Sequence, residues 1–191
     1  MLILDEPVAT DRLLLRPFRA ADLEALHDIR TRPDVLRYLY WPPATLDQTR
    51  DIISQRLTMN KLVDENDCLV LAVERRDTGR LVGEADLCWT SVEHRQAELG
   101  VILHPEAQGH GYAWEASAAL LDLAFVRMGL HRVSARTDAR NEPSARVLRR
   151  LGMRLEGHLQ QCVFFAGQWH DELIFSILAE EWGTDGTRAS E

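Results

Sequence analysis

Between Gln96 and Ala124 the spacing of apolar residues changes from two to about 3.6. The change falls across a turn that carries two glycines. The segment reads Glu98-Leu-Gly-Val-Ile-Leu-His104-Pro-Glu-Ala-Gln108-Gly-His-Gly-Tyr-Ala113. A strand must run into this turn and then into a helix marked by Ala113, Ala116, Leu120, Leu123 and Ala124, closing at Gly129. The first amides of a helix lack intrahelical partners, and the helix dipole adds partial positive charge there. Gly109 and Gly111 remove the Cβ atoms that would hold an anion away from those amides. By themselves these residues specify either a phosphate or pyrophosphate site or merely a tight turn. A P-loop is the poorer fit, because the turn ends Tyr112-Ala113-Trp114 and Lys61 is the only lysine in the chain. A dinucleotide fingerprint needs a third glycine where Trp114 stands.

The remaining elements follow from period and punctuation. Arg12 to Pro17 reads as a strand ended by proline, and Leu23, Leu26 and Ile29 recur at helical spacing until Pro33. Thr45-Leu46-Asp47-Gln48 is a capping box opening a second helix over Ile52, Ile53 and Leu57. Tyr38, Tyr40 and Trp41 lie in the connection between these helices, as a packed lid or a dimer contact. Three strands are predicted at Cys68 to Glu74, Leu81 to Trp89 and Gln96 to Leu103, the first two joined by a turn at Asp77-Thr78-Gly79. A strand at His131 to Thr137 and a helix over Val147, Leu148 and Leu151 come next, with Pro143 in its first turn and Gly152 past its end. Two last strands, Arg154 to Phe165 and Trp169 to Leu178, flank Ala166-Gly167-Gln168. The order β-α-α-β-β-β-α-β-α-β-β is an α+β fold with a mixed sheet. One domain is expected over 1–182, with a disordered tail over 183–191.

Charge and cysteine usage narrow the class. A formal net charge of −8 argues against nucleic acid as a main partner. No stretch approaches the ~20 apolar residues of a membrane span, and the N-terminus lacks a basic region before an apolar run. Cytoplasm is the expected address. Cys68, Cys88 and Cys162 are odd in number and share no metal or redox spacing, so reduced, mostly buried thiols are expected. No metal is expected either, because His158, Cys162, His170 and Asp171 form no recognised ligand spacing. Within this acidic chain, residues 127–154 hold eight arginines against only Asp138 and Glu142. That segment is either a solvated helix face or a surface for a small polyanion.

Here a resemblance becomes specific. Gln108-Gly109-His110-Gly111-Tyr112-Ala113, of form Q-x-x-G-x-A, resembles the coenzyme A loop of the GCN5-related N-acetyltransferase (GNAT) superfamily. Thr10-Asp-Arg-Leu-Leu-Leu-Arg-Pro17 resembles the opening strand of its ribosomal-protein N-terminal acetyltransferase (RimJ/RimL-like) branch. Asn141-Glu-Pro-Ser144-Ala-Arg-Val-Leu-Arg-Arg-Leu-Gly152-Met resembles that branch's N-x-x-S segment and following helix. The resemblance reaches to about Leu178. It implies a mostly antiparallel twisted sheet flanked by helices, and acetyl-CoA as cosubstrate. It also implies a primary amine as acceptor, a protein N-terminus or a small amine, attacked directly in a ternary complex by a monomer or homodimer. A CoA-binding module that has lost catalysis, serving as sensor or scaffold, is the alternative.

The same resemblance suggests roles. The pyrophosphate would lie on the amides of Gln108, Gly109, His110, Gly111, Tyr112 and Ala113, and the pantetheine arm would pair along Val101, Ile102 and Leu103. Asn141 and Ser144 match positions that touch the cofactor, and Arg146, Arg149 or Arg150 is placed to meet the adenosine phosphate. Removing a proton from the ammonium needs a base. Glu98, at the start of the strand beside the cofactor, is the first candidate, and Glu84 on the neighbouring strand is the second. A bulge in the Val101–Leu103 strand would expose an amide to polarise the carbonyl. The tyrosine acid of many relatives is missing, leaving Ser144 as a proton donor or simply a helix cap. Asp171 would line the acceptor site or tie down a loop.

Overall fold

Strands with alternating burial, joined by glycine-bearing turns, gather most of the chain into one mixed sheet. A computed structural model describes residues 1–183. The tail expected over 183–191 therefore lies, Gly183 apart, outside the described residues. In chain order the elements are β1 (Leu2–Ile3), β2 (Val8–Ala9), β3 (Leu13–Pro17), α1 (Leu23–Thr31), α2 (Pro33–Leu36) and α3 (Leu46–Arg56). Next come β4 (Lys61–Leu62), β5 (Cys68–Arg75), β6 (Leu81–Ser91), β7 (Gln96–Leu103), α4 (Tyr112–Asp122) and β8 (Arg132–Asp138). The chain continues through α5 (Glu142–Arg150), β9 (Arg154–Phe165) and β10 (Gln168–Leu178). Eight strands form the sheet in the order β2-β3-β5-β6-β7-β8-β10-β9, and β1 pairs separately with β4. All neighbours in the large sheet are antiparallel except β7 and β8. The expected order holds. The short β1, β2, β4 and α2 are additions that two to four residues cannot announce by periodicity.

Both faces of the sheet are covered on its β5–β6 side. On one face α4 and α5 pack Ala116, Leu120, Leu148 and Leu151 against Leu71, Leu87, Val133 and Phe175. On the other, Phe18, Leu26 and Ile53 lie over Val70 and Ala72. Leu69 to Val73 are consequently buried without alternation. The Thr45 box forms as expected: the Thr45 hydroxyl accepts from the Gln48 amide at 3.2 Å, and the Gln48 side chain accepts from the Thr45 amide at 2.8 Å. At the start of α1 the buried Arg16 guanidinium donates to both Asp22 oxygens at 2.8 Å and to Glu74 at 2.7 Å. It thereby fastens the helix to β3 and β5.

The cysteine expectation is overturned. Cys68 and Cys88 are directly opposed in the β5–β6 register, with Cα atoms 4.0 Å apart, and are joined as a disulfide. Cys162 is free and exposed on β9. Counting thiols could not reveal this, because the pairing depends on hairpin register rather than on spacing along the chain.

Candidate active site

The parting of β7 from β8 creates the site. The two strands pair only at Gln96↔Arg132, Ala97↔Val133 and Glu98↔Ser134. Thereafter β8 stays with β10 as far as Asp138, while β7 stays with β6 as far as Leu103. One edge of β7, from Leu99 to Leu103, is thus left without a strand partner in mid-sheet. An extended ligand bearing amide groups can pair along such an edge. The bulge expected near Val101 is not the cause. The β6–β7 register runs unbroken from Ala97 to Leu103, and its irregularity lies at the far end, between Trp89 and Ser91. The strands separate because β8 turns away with β10.

At the end of that edge the glycine turn is built as expected. The Gln108 side chain donates to the Leu103 carbonyl at 3.1 Å, and the His110 ring lies 2.7 Å from the Gln108 carbonyl. Gly109 (φ 77°) and Gly111 (φ 83°) adopt left-handed backbone. Gly111 is the N-cap of α4, with no side chain capping it. A Cβ on Gly109 would meet no atom within 4 Å, so its approach side is open. Open space and uncapped first-turn amides are what a diphosphate requires.

Arg12 braces this turn, a role the sequence reading missed although it had singled out the strand. Its guanidinium donates to the His110 carbonyl at 2.9 Å and to Glu115 at 2.7 Å, and Glu115 also accepts from the Thr10 hydroxyl. Arg150 lies over the Trp114 ring, 5.0 Å from its centroid, in the first turn of α4. Arg149 turns elsewhere, 3.7 Å from Glu142 and over Phe175. Asn141, three residues past β8, accepts from the Ser144 amide at 3.2 Å. The cap of α5 is therefore Asn141, not Ser144, whose hydroxyl has no partner among the described residues. Ser144 is itself the third helical residue, whose amide Asn141 satisfies from the N-cap position.

A polar face flanks the parting on the α1–α3 side. Alternation on β6 sends Glu84, Asp86 and Cys88 to this face, and register adds Ile102, Gly100 and Glu98 from β7. Glu84 is 2% exposed, accepts from Arg30 at 2.7 Å, and has Arg56 3.5 Å from its other oxygen. Glu98 stands 3.6 Å from Arg136, which also meets Glu172 at 3.2 Å. Burial pushes the Glu98 carboxyl above the usual range, with Arg136 opposing. Asp138 holds Arg140 and accepts from the Tyr40 hydroxyl at 3.0 Å. Burial and then Asp138 raise that phenol. Tyr40 packs on His170 and Phe165, and Trp41, 37% exposed, lies under Arg30, so the aromatic connection borders this face. Asp171 ties down the β9–β10 irregularity, accepting from the Gln161 amide at 2.8 Å and facing His158 at 2.7 Å.

Asp86 is the residue of this face that sequence reasoning passed over. Burial first, then Glu84, lifts its carboxyl to about 7, against the pull of Arg56 and Arg30. The strand alternation that nominated Glu84 contained the signal, since a residue two positions on shares the face. Among the described residues no group of three or more His, Cys, Asp or Glu is arranged to hold a metal ion. No helix among them is long and apolar enough to cross a membrane.

A mixed sheet opened between two parallel strands, with a glycine turn and helix start at the mouth of the opening, defines an acyl-CoA-dependent transferase. The chain belongs to the GNAT acetyltransferase family: the model of the acetyltransferase (GNAT) domain matches residues 12–154. It is 32% identical to the uncharacterised N-acetyltransferase YnaD of Bacillus subtilis, over 92% of this chain and 98% of that one. It is 26% identical to the spermidine N(1)-acetyltransferase of Escherichia coli K12, over 88% and 87% of the two chains. A GNAT-family acetyltransferase structure from Bacillus anthracis superposes with a TM-score of 0.80 at 31% identity, covering 92% of this chain and all of that one. A Vibrio cholerae spermidine N-acetyltransferase, solved with CoA and spermine, shares the fold at 24% identity and a TM-score of 0.77, covering 90% and 98%. The protein is an acetyl-CoA-dependent N-acetyltransferase acting on an amine.

Proposed function

We propose that this enzyme acetylates a small cationic primary amine by direct attack, with acetyl-CoA and the amine bound together. The carrying observation is the β7–β8 parting that leads straight into the Gln108–Ala113 turn. The pantetheine arm pairs along Val101, Ile102 and Leu103, and the diphosphate sits on the amides from Gln108 to Ala113. Asn141 and Ser144 bound the cofactor from the β8 side, and Arg150, beside the turn on Trp114, meets the adenosine phosphate. Arg149, held by Glu142, is the weaker candidate. A covalent relay has no thiol to use: Cys68 and Cys88 are bonded to each other, and Cys162 lies out on β9.

The acceptor reading rests on charge and cover. Asp86, Glu98 and Glu172 line a face that Tyr40 and Trp41 partly roof, which suits a slim cation better than a folded protein's N-terminus. The likeness to enzymes named spermidine N(1)-acetyltransferases supports the same class. Release of CoA thiol is to be measured with polyamines, aminoglycosides and N-terminal peptides. Release with the small cationic amines, and none without an amine, is expected. Turnover only with peptides would reassign the acceptor. No turnover with any amine, alongside firm CoA binding, would make the chain a binding module.

A further inference from the structure

Five carboxylates stand on or beside the acceptor face, and four of them have an arginine. Glu84 has Arg30 and Arg56, Glu98 and Glu172 share Arg136, and Asp138 has Arg140. Asp86 has neither an ion pair nor a hydrogen bond among the described residues. Its position is also distinctive. In the register Asp86 faces Gly100, two residues beyond the last β7–β8 pair. A Cβ built on Gly100 would lie 2.7 Å from Oδ1, 3.0 Å from Oδ2 and 3.1 Å from Cγ of Asp86. The carboxyl therefore lies across the bare backbone of β7, at the vertex where that strand loses its neighbour. Any other residue at position 100 would push it away.

We propose that Asp86, laid over Gly100 at the vertex of the strand parting, is the catalytic base that takes the proton from the acceptor ammonium. The inference rests on the transferase reading above and replaces Glu98 and Glu84 in that role. An ammonium arriving at the vertex supplies the cation that this carboxylate alone lacks. One ammonium proton passes to Asp86, freeing the nitrogen lone pair. The nitrogen then bonds to the acetyl carbon as the carbon–sulfur bond breaks. A second nitrogen proton ends on the CoA thiolate, and Asp86 returns its own proton to solvent.

The groups facing Asp86 set its working range. Glu84 on its own strand and Glu98 on β7 favour the protonated form, while Arg30 on α1 and Arg56 on α3 oppose it. Burial is the largest influence, and the carboxyl titrates near 7. A base that titrates near the working pH is well matched to proton transfer. Glu84, held between Arg30 at 2.7 Å and Arg56 at 3.5 Å, ties the sheet to α1 and α3 and so acts as a positioning residue.

The test is Asp86→Asn, which keeps shape and removes basicity, set beside Glu98→Gln in the wild-type assay with the best amine. Asp86→Asn is expected to lower kcat about 10²–10⁴-fold, the usual worth of a general base. It should leave CoA affinity unchanged, remove the rise in kcat across pH 6–8, and recover partly at pH 9–10 as free amine becomes available. Glu98→Gln should keep that rise. Asp86→Asn activity within threefold of wild type, or loss of the pH rise in Glu98→Gln instead, overturns the proposal while leaving the transferase reading intact. Wild-type failure with every amine overturns both. Gly100→Ala, which displaces the carboxyl without touching its chemistry, is expected to lower kcat with an unchanged thermal midpoint of the CoA complex. Full activity in Gly100→Ala counts against the geometry and overturns the assignment.

Discussion

Gly111 caps α4 at φ 83°, where an L-residue costs roughly 1–2 kcal/mol. A Cβ there would come 3.4 Å from the Arg12 guanidinium, an ordinary contact that leaves the brace in place, so the cost is the backbone's. Gly111→Ala should therefore lose about 1–2 kcal/mol of stability in denaturant titrations and weaken CoA binding several-fold by calorimetry. On the proposed cofactor site the two effects share one cause, since the first-turn amides assigned there to the diphosphate are those the left-handed residue aims. Glycines of this kind are readable from sequence because a backbone demand has few residue solutions. Carboxylates are not: Glu84 and Asp86 read alike as strand acids two positions apart. Only the arrival of Arg30 and Arg56 from two helices separates a bound acid from a free one.

At the level of elements, the β5–β6 hairpin carries the cross-strand bond between Cys68 and Cys88, 20 residues apart. Constraint of the unfolded chain by a loop of that size is worth about 3 kcal/mol, less where the hairpin already holds. Reduction should lower stability by roughly 1–3 kcal/mol in urea titrations with and without reductant. A Cys68→Ala/Cys88→Ala variant should show no further response to reductant. Period and punctuation suffice for the long elements: the glycine turns at residues 79 and 167 and the Thr45 box form as expected, and the α4 stripe holds as far as Leu120, while Leu123 and Ala124 fall in a π-helical turn over Leu123–Arg127 that a 3.6 period does not announce. What was not legible depends on neighbours distant in sequence. The parting is set by β8 following β10, which begins at Gln168, 30 residues after β8 ends at Asp138. Nothing within Val101–Leu103 encodes it. The brace from Arg12 to His110 likewise joins the first long strand to a turn 98 residues later.

Across the whole molecule, charge is sorted by substrate. Arg12 and Arg150 border the turn proposed to hold the phosphates, while on the proposed acceptor face Asp86 is the carboxylate without an arginine among the described residues, on a chain of net charge −8. Long-range attraction of a cationic acceptor is screened by salt. Raising ionic strength from about 0.05 to 0.5 M should increase KM for a polyamine several-fold and change KM for a monoamine much less, as steady-state kinetics will show. The strand parting has a mechanical meaning as well. Two wings of sheet, β2 to β7 and β8 to β10, meet through three residue pairs and a shared floor of α4 and α5 side chains. With the thioester arm paired along β7 as proposed, it would be the missing rung between them, and loading the donor would complete the architecture that the polypeptide begins.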